Sequence, residues 1–126
     1  MNVEKFNKML EERIKKTRAV LDSKNKEYAS DIDKLHNFKR ASAMENCSPE
    51  KALIGMWAKH IISILDIVDK LDKEDAKYNG HAICQPLKVT IPLVEEKIGD
   101  AINYLILLEA LIKERYEAWN TLKELT

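Results

Sequence analysis

From Val94 to Leu122 the apolar residues return at three- and four-residue steps: Val94, Ile98, Ala101, Ile102, Leu105, Leu108 and Ile112, then Tyr116, Trp119 and Leu122. A spacing near 3.6 residues sustained over this length specifies an amphipathic α-helix and leaves no room for strand alternation. Tyr104, Leu107 and Leu111 widen the stripe beyond what one neighbouring helix covers. The segment therefore predicts a long helix over about 92–123, buried on more than one side.

Two other stretches carry the same period. Val3, Phe6, Leu10, Ile14, Thr17 and Leu21 predict a first helix over about 3–28. Ser48-Pro49-Glu50 supplies a capping hydroxyl, a proline at the first helical position and an acid in the first turn, which together mark a helix start. The helix that follows runs to about Leu71, and its apolar residues go nearly all the way round, as expected for a central or interface helix. Lys70 to Tyr78 reads as a charged continuation or a short separate helix, closed by Asn79-Gly80. Between the first two helices, Ala29 to Ser48 has no sustained period and reads as a loop with one short helical turn around Leu35 to Ala43. His81 to Pro92, with two prolines, reads as an extended connector.

The expected fold is all-α: a single domain over residues 1–126, built as a bundle of three long helices plus short helical segments. Apolar residues are 45% of the chain and charged residues 33%, with three Gly and three Pro, a balance that excludes disorder and turn-rich β folds. The second and last helices carry more apolar surface than a small monomer covers. The bundle is thus expected to be completed by oligomerisation, as a homodimer or tetramer.

Charge narrows the partners. The formal net charge is zero, whereas nucleic-acid binders usually carry a basic excess or stripe. The nearest approach to a stripe is Lys8, Arg13, Lys15, Lys16 and Arg18, but these alternate with Glu4, Glu11 and Glu12 and read as a solvated helix face. Cys47 and Cys84 are too few for a disulfide framework. No apolar run approaches the ~18 residues of a membrane span, and no apolar signal region opens the chain, so the expectation is a cytoplasmic protein.

Candidate chemistry concentrates on the last helix. Glu96 and Asp100 are one turn apart, and like charges at that spacing repel by roughly 0.2–0.5 kcal/mol. A cation between them relieves the cost, and Asn103, one turn on, adds an amide oxygen. Three oxygen donors suit Mg²⁺ or Mn²⁺; an exposed acidic strip balanced by Lys97 and water is the alternative. On the second helix Asp66 lies between Leu65 and Ile67, where a carboxylate needs a partner, either the same metal or Lys59 or Lys70. His60 reads as a packed, hydrogen-bonded histidine. His81-x-x-Cys84 has half the spacing of a zinc site, with the remaining His and Cys scattered.

Taken in order, Lys24-Asn25-Lys26-Glu27-Tyr28, Asn37-Phe38, the Lys59-His60 helix with its downstream acid, and Glu96-x-x-x-Asp100-x-x-Asn103-Tyr104 resemble small phage-type proteins. These are similar to the all-α nucleoside triphosphate pyrophosphohydrolase (MazG-like) superfamily. The resemblance spans roughly Leu21 to Leu111. It implies a four-helix core assembled through dimers or tetramers, Mg²⁺ on helix carboxylates, and hydrolysis of a nucleoside triphosphate to monophosphate and pyrophosphate. On this chain it implies Glu96, Asp100 and Asn103 as metal ligands and Glu27 or Asp66 as the facing, water-orienting acid. Lys24, Lys26 and Lys59 would meet phosphate, and Asn37 and Tyr104 would complete the substrate site. Lys97 stands where the family places a glutamate three residues before its aspartate, and the paired-glutamate motif has no match, since Glu11-Glu12 is followed by Lys15. A non-catalytic helical oligomer that binds a nucleotide or a host protein is the second expectation.

Overall fold

The structure, a computed structural model, describes residues 1–28, 33, 35–78 and 88–126, with side chains described except for 24–28 and 77–78. Four helices follow one another: α1 Val3–Tyr28, α2 His36–Glu45, α3 Pro49–Tyr78 and α4 Ile91–Leu125. Among the described residues there is no strand, and the fold is all-α, as the periodicity requires.

Each start has a local cause. Asn2 opens α1, its Oδ1 accepting from the Lys5 amide at 2.8 Å. Ser48 opens α3, with Oγ accepting from the Lys51 amide at 3.2 Å and Pro49 in the position where a missing N–H costs nothing. Thr90 caps α4 from extended backbone, its hydroxyl accepting from the Leu93 amide at 3.3 Å, with Pro92 in the first turn. The charged segment after Leu71 continues α3 without a break to Tyr78. It holds neither Gly nor Pro, so nothing in it stops a helix.

The sequence expectation for 29–48 needs correction. Within it stands a ten-residue helix, α2, rather than a loop with one helical turn; residues 29–32 and 34 lie outside the described residues. Helix α2 covers and extends the short turn expected around Leu35 to Ala43, and it starts without a side-chain N-cap. It is held instead by ionic and packing contacts. Lys39 bridges Asp33, at 2.7 Å, and Glu114 on α4, and Asp33 Oδ1 accepts from the Leu35 amide at 2.9 Å. It ends on Asn46 in the left-handed region (φ 53°), with the Cys47 amide donating to the Ser42 carbonyl, a Schellman-type closure.

Helices α3 and α4 form the centre, and they run antiparallel. Glu50 pairs with Arg115, Leu53 packs with Leu111, and His60 lies beside Asp100 and Tyr104. Leu35, Leu53 and Leu111 are the buried nucleus, packed by Phe38, Trp57, Tyr104, Leu107 and Leu108. Leu53, fully enclosed, is where α2, α3 and α4 close on one another.

Helix α1 runs parallel to α4. Arg13 lies against Glu95 and Gly99, whereas Leu21 shares a cleft with Ile106 and Ala110 farther along α4. The docking is polar: Arg13 Nη2 donates to the Glu95 carbonyl at 2.9 Å, and Lys16 reaches the Glu95 carboxylate at 2.6 Å. Gly99 makes that approach possible, because a Cβ there would stand 2.5 Å from Arg13 Nη1. Of the apolar stripe expected to be the inner face of α1, Thr17 is buried while Phe6, Leu10 and Ile14 stay exposed.

The Lys39 bridge predicts a pH-dependent cost for its removal. The Lys39 hydrogen bond holds the Asp33 carboxyl below its ordinary value, and the Asp33 bond raises the Lys39 ammonium above its own. A depressed carboxyl stabilises fully above its unfolded pKa and loses that contribution as the pH falls through its native one. The raised ammonium loses its own contribution only as the pH climbs through the lysine range. Lys39→Met is thus expected to cost about 0.2–1 kcal/mol at pH 7, the usual size for partly exposed pairs. The deficit should close as the pH drops below 3.8, the ordinary aspartate value; urea melts at pH 7 and pH 3 read both.

Candidate functional site on the α3–α4 hairpin

The antiparallel register of α3 and α4 brings His60 against the Asp100–Tyr104 turn. His60 Nδ1 lies 3.8 Å from Asp100 Oδ2, and both side chains are roughly three-quarters buried, with 24% and 27% exposure. The imidazole also stacks on Tyr104 at 4.8 Å between ring centres with a 34° tilt, and Phe38 of α2 meets Tyr104 edge-on at 6.2 Å. Three helices thus contribute to one constellation: an aromatic row ending in an imidazole beside a carboxylate. The sequence reading of His60 as a packed residue holds in part, since the ring packs on Tyr104. The structure also sets the Asp100 carboxylate beside it.

Glu96 stands one turn before Asp100 at the margin. Its side chain is 62% exposed, with Lys97 Nζ at 4.0 Å. The repulsion between Glu96 and Asp100 can be relieved from two sides: by Lys97 at the surface, and by His60 at Asp100 whenever the imidazole is protonated. Among the described residues no three His, Cys, Asp or Glu side chains come together as a ready metal cage. A hydrated cation held by two carboxylates and completed by substrate phosphates needs no such cage, and the donor chemistry of Glu96 and Asp100 fits that mode.

Asn103 occupies a different layer. It is buried, and its Oδ1 is closed from solvent with no hydrogen-bond partner among the described residues. An unpaired buried acceptor costs about 1–3 kcal/mol, so this oxygen is one that a water molecule or a cation would satisfy. The other candidates are dispersed. Asn37 is half-buried on α2, next to Phe38, whereas Lys59 and Asp66 are exposed on α3. The burial that would force Asp66 to take a partner is therefore missing in the single chain, and water solvates it. The side chains of Lys24, Lys26 and Glu27 lie outside the described residues, as do His81 and Cys84.

Two features had no counterpart in the sequence reading. One is the Arg13–Gly99 clasp, for which the only signal was a glycine in mid-helix. The other is an open cleft of about 700 Å³ between α1 and α4, walled chiefly by Leu10, Ile14, Leu21, Ile102 and Ile106. Thr17 lines it, with a buried hydroxyl that has no partner among the described residues.

Comparison of the chain with protein-family models, with curated proteins and with solved structures finds no match. Among the described residues no helix is long and apolar enough to cross a membrane.

The stack between His60 and Tyr104 is the contact on which the constellation's geometry turns, and its strength is measurable. A double-mutant cycle with His60→Leu and Tyr104→Leu is expected to return a coupling of about 0.5–1.5 kcal/mol, the range for paired aromatic rings. Additive effects in urea melts would mean that the two rings do not position each other.

Proposed function

We propose that the chain is a MazG-like nucleotide-handling protein that binds a nucleoside triphosphate with Mg²⁺ or Mn²⁺ at the α3–α4 hairpin and hydrolyses it to a monophosphate and pyrophosphate. The observation that carries this reading is the meeting of His60 with Asp100 and Tyr104, one helical turn from Glu96. It sets an acidic strip directly beside an aromatic row, and a nucleotide presents the matching pair of groups, anionic phosphates and a stacking base.

The roles follow from the chemistry of each group. Glu96 and Asp100 would hold the divalent cation, which when bound neutralises phosphate charge. Asn103 would supply its otherwise unmatched Oδ1. His60, in reach of Asp100, is placed to steady that carboxylate and to exchange a proton with a water at its edge. Tyr104 and Phe38 offer ring surface, Asn37 would add an amide from α2, and Lys59, exposed on α3, would meet phosphate. In this reading Glu27 or Asp66 would orient the attacking water, and Lys24 and Lys26 would add positive charge.

A second reading is favoured by the chain's departures from the family pattern, Lys97 where that pattern has a glutamate and no paired-glutamate motif. In that reading the same surface binds a nucleotide or a host protein without turnover. The two are separated by a screen of standard and modified nucleoside triphosphates with Mg²⁺, following pyrophosphate release alongside the melting temperature. Hydrolysis is expected for at least one nucleotide, with Asp100→Asn abolishing both release and the Mg²⁺-dependent rise in melting temperature that binding to the native state confers. Stabilisation without release would select the binding reading. A wild type whose melting ignores every nucleotide, with and without either metal, would contradict the site altogether.

A further inference from the structure

The cleft between α1 and α4 is held open by the way the two helices dock. Leu10, Ile14 and Leu21 line it from α1, Ile102 and Ile106 line it from α4, and it reaches Leu35 of the buried nucleus. Leu10, Ile14 and Ile106 nevertheless stay exposed. The Arg13 guanidinium accounts for this. It lies on the α4 backbone at Gly99 and the Glu95 carbonyl, so the helices meet there through a polar side chain. Apolar ridges that would otherwise interdigitate are kept apart.

The volume of about 700 Å³ falls within the roughly 300–1,000 Å³ of ligand sites, which combine apolar walls with a few polar groups. Here the polar groups carry a sign. Among the described lining residues Arg13 and Arg18 are cationic and Asp22 is acidic. Arg13 donates to a carbonyl, the Glu95 carboxylate is held by Lys16, and Arg18 has no ion pair among the described residues. Thr17 stands one turn from Arg13 and next to Arg18. It is 9% exposed, and its Oγ1 has no partner among the described residues. A buried hydroxyl without an acceptor is costly, and a guanidinium binds an oxyanion through charge-assisted hydrogen bonds. One carboxylate entering between the helices answers both.

We propose that this cleft binds a soluble single-chain alkyl carboxylate. The head sits on Arg13, Thr17 and Arg18, and the chain lies over Ile14, Ile102 and Ile106 toward Leu35. The run from Arg13 to Leu21 is about 12 Å of helix, which suits an alkyl chain of medium length over one of a few carbons. Two guanidiniums against one carboxylate favour an anionic head over a cationic one. None of these contacts uses Glu96, Asp100 or His60, so the inference stands or falls apart from the nucleotide reading.

The test is calorimetric titration of the full chain with dodecanoate, below its micelle concentration and at pH 8, where the head is ionised. Saturable binding of one molecule per chain is expected. No binding would overturn the proposal, whether another chain covers the cleft or nothing does. Dodecylamine, the same chain with a cationic head, is expected to bind at least about tenfold more weakly; equal affinity would overturn the assignment of the head. Ile106→Glu and Ile112→Glu replace side chains of equal exposure, 42%, inside and outside the cleft. Both should keep their helical circular dichroism, with only Ile106→Glu weakening dodecanoate, at least about tenfold. Thr17→Val should melt no lower than wild type, because it removes an unpaired hydroxyl, yet bind dodecanoate several-fold more weakly. Equal losses in the two Ile variants, or wild-type affinity in Thr17→Val, would place the ligand elsewhere and overturn the proposal.

Discussion

The packing of Leu53 against Leu111, with Leu35 closing over both, is the contact on which the rest of the molecule depends. It locks α3 and α4 in one antiparallel register, and that register decides everything farther along the pair. Seven residues on from Leu53, and seven back from Leu111, it sets His60 beside Tyr104 and Asp100. Past its other end it pairs Glu50 with Arg115 and lets Lys39 of α2 reach Glu114. Close packing in such a nucleus fixes position because side chains there have few alternative arrangements. The constellation therefore inherits its geometry from apolar residues that take no part in its chemistry.

Helix α1 is attached by a different kind of force. Its main links to α4 are the Arg13 guanidinium on the Glu95 carbonyl and Lys16 on the Glu95 carboxylate, whose pKa that lysine lowers by its hydrogen bond. Exposed ion pairs contribute little stability, and the apolar residues around them border an open cleft instead of interlocking. The molecule is thus graded, from a tight α2–α3–α4 nucleus to a loosely held first helix and a free α4 tail. The candidate site sits near the nucleus, whereas the leading turns of α1 and the α4 tail are exposed.

The long helices were legible because their signals are local. Ser48-Pro49 declares the start of α3, and the stripe from Val94 onward declares α4, whatever the remainder of the chain does. Helix α2 was legible only as a short helical turn around Leu35 to Ala43, and its full length was not, because Lys39 holds it by reaching across to Glu114, seventy-five positions away in sequence. Helical spacing alone puts Glu96, Asp100 and Asn103 on neighbouring turns of one helix. That Asn103 would be buried while Glu96 stood in solvent depended on how α1 and α3 flank α4. That His60 would stand beside Asp100 depended on the register set by Leu53 and Leu111. Both are tertiary facts, and periodicity along one helix does not contain them.

Native-state hydrogen exchange measures this gradient directly, since an amide's protection reports the free energy of the opening that exposes it. The slowest amides are expected in the paired parts of α3 and α4, around Leu53 to Ile64 and Tyr104 to Leu111, with α1 from Val3 to Val20 exchanging through openings of markedly lower free energy. Protection of α1 equal to that of the α3–α4 pair would contradict the claim that a single apolar register organises this molecule.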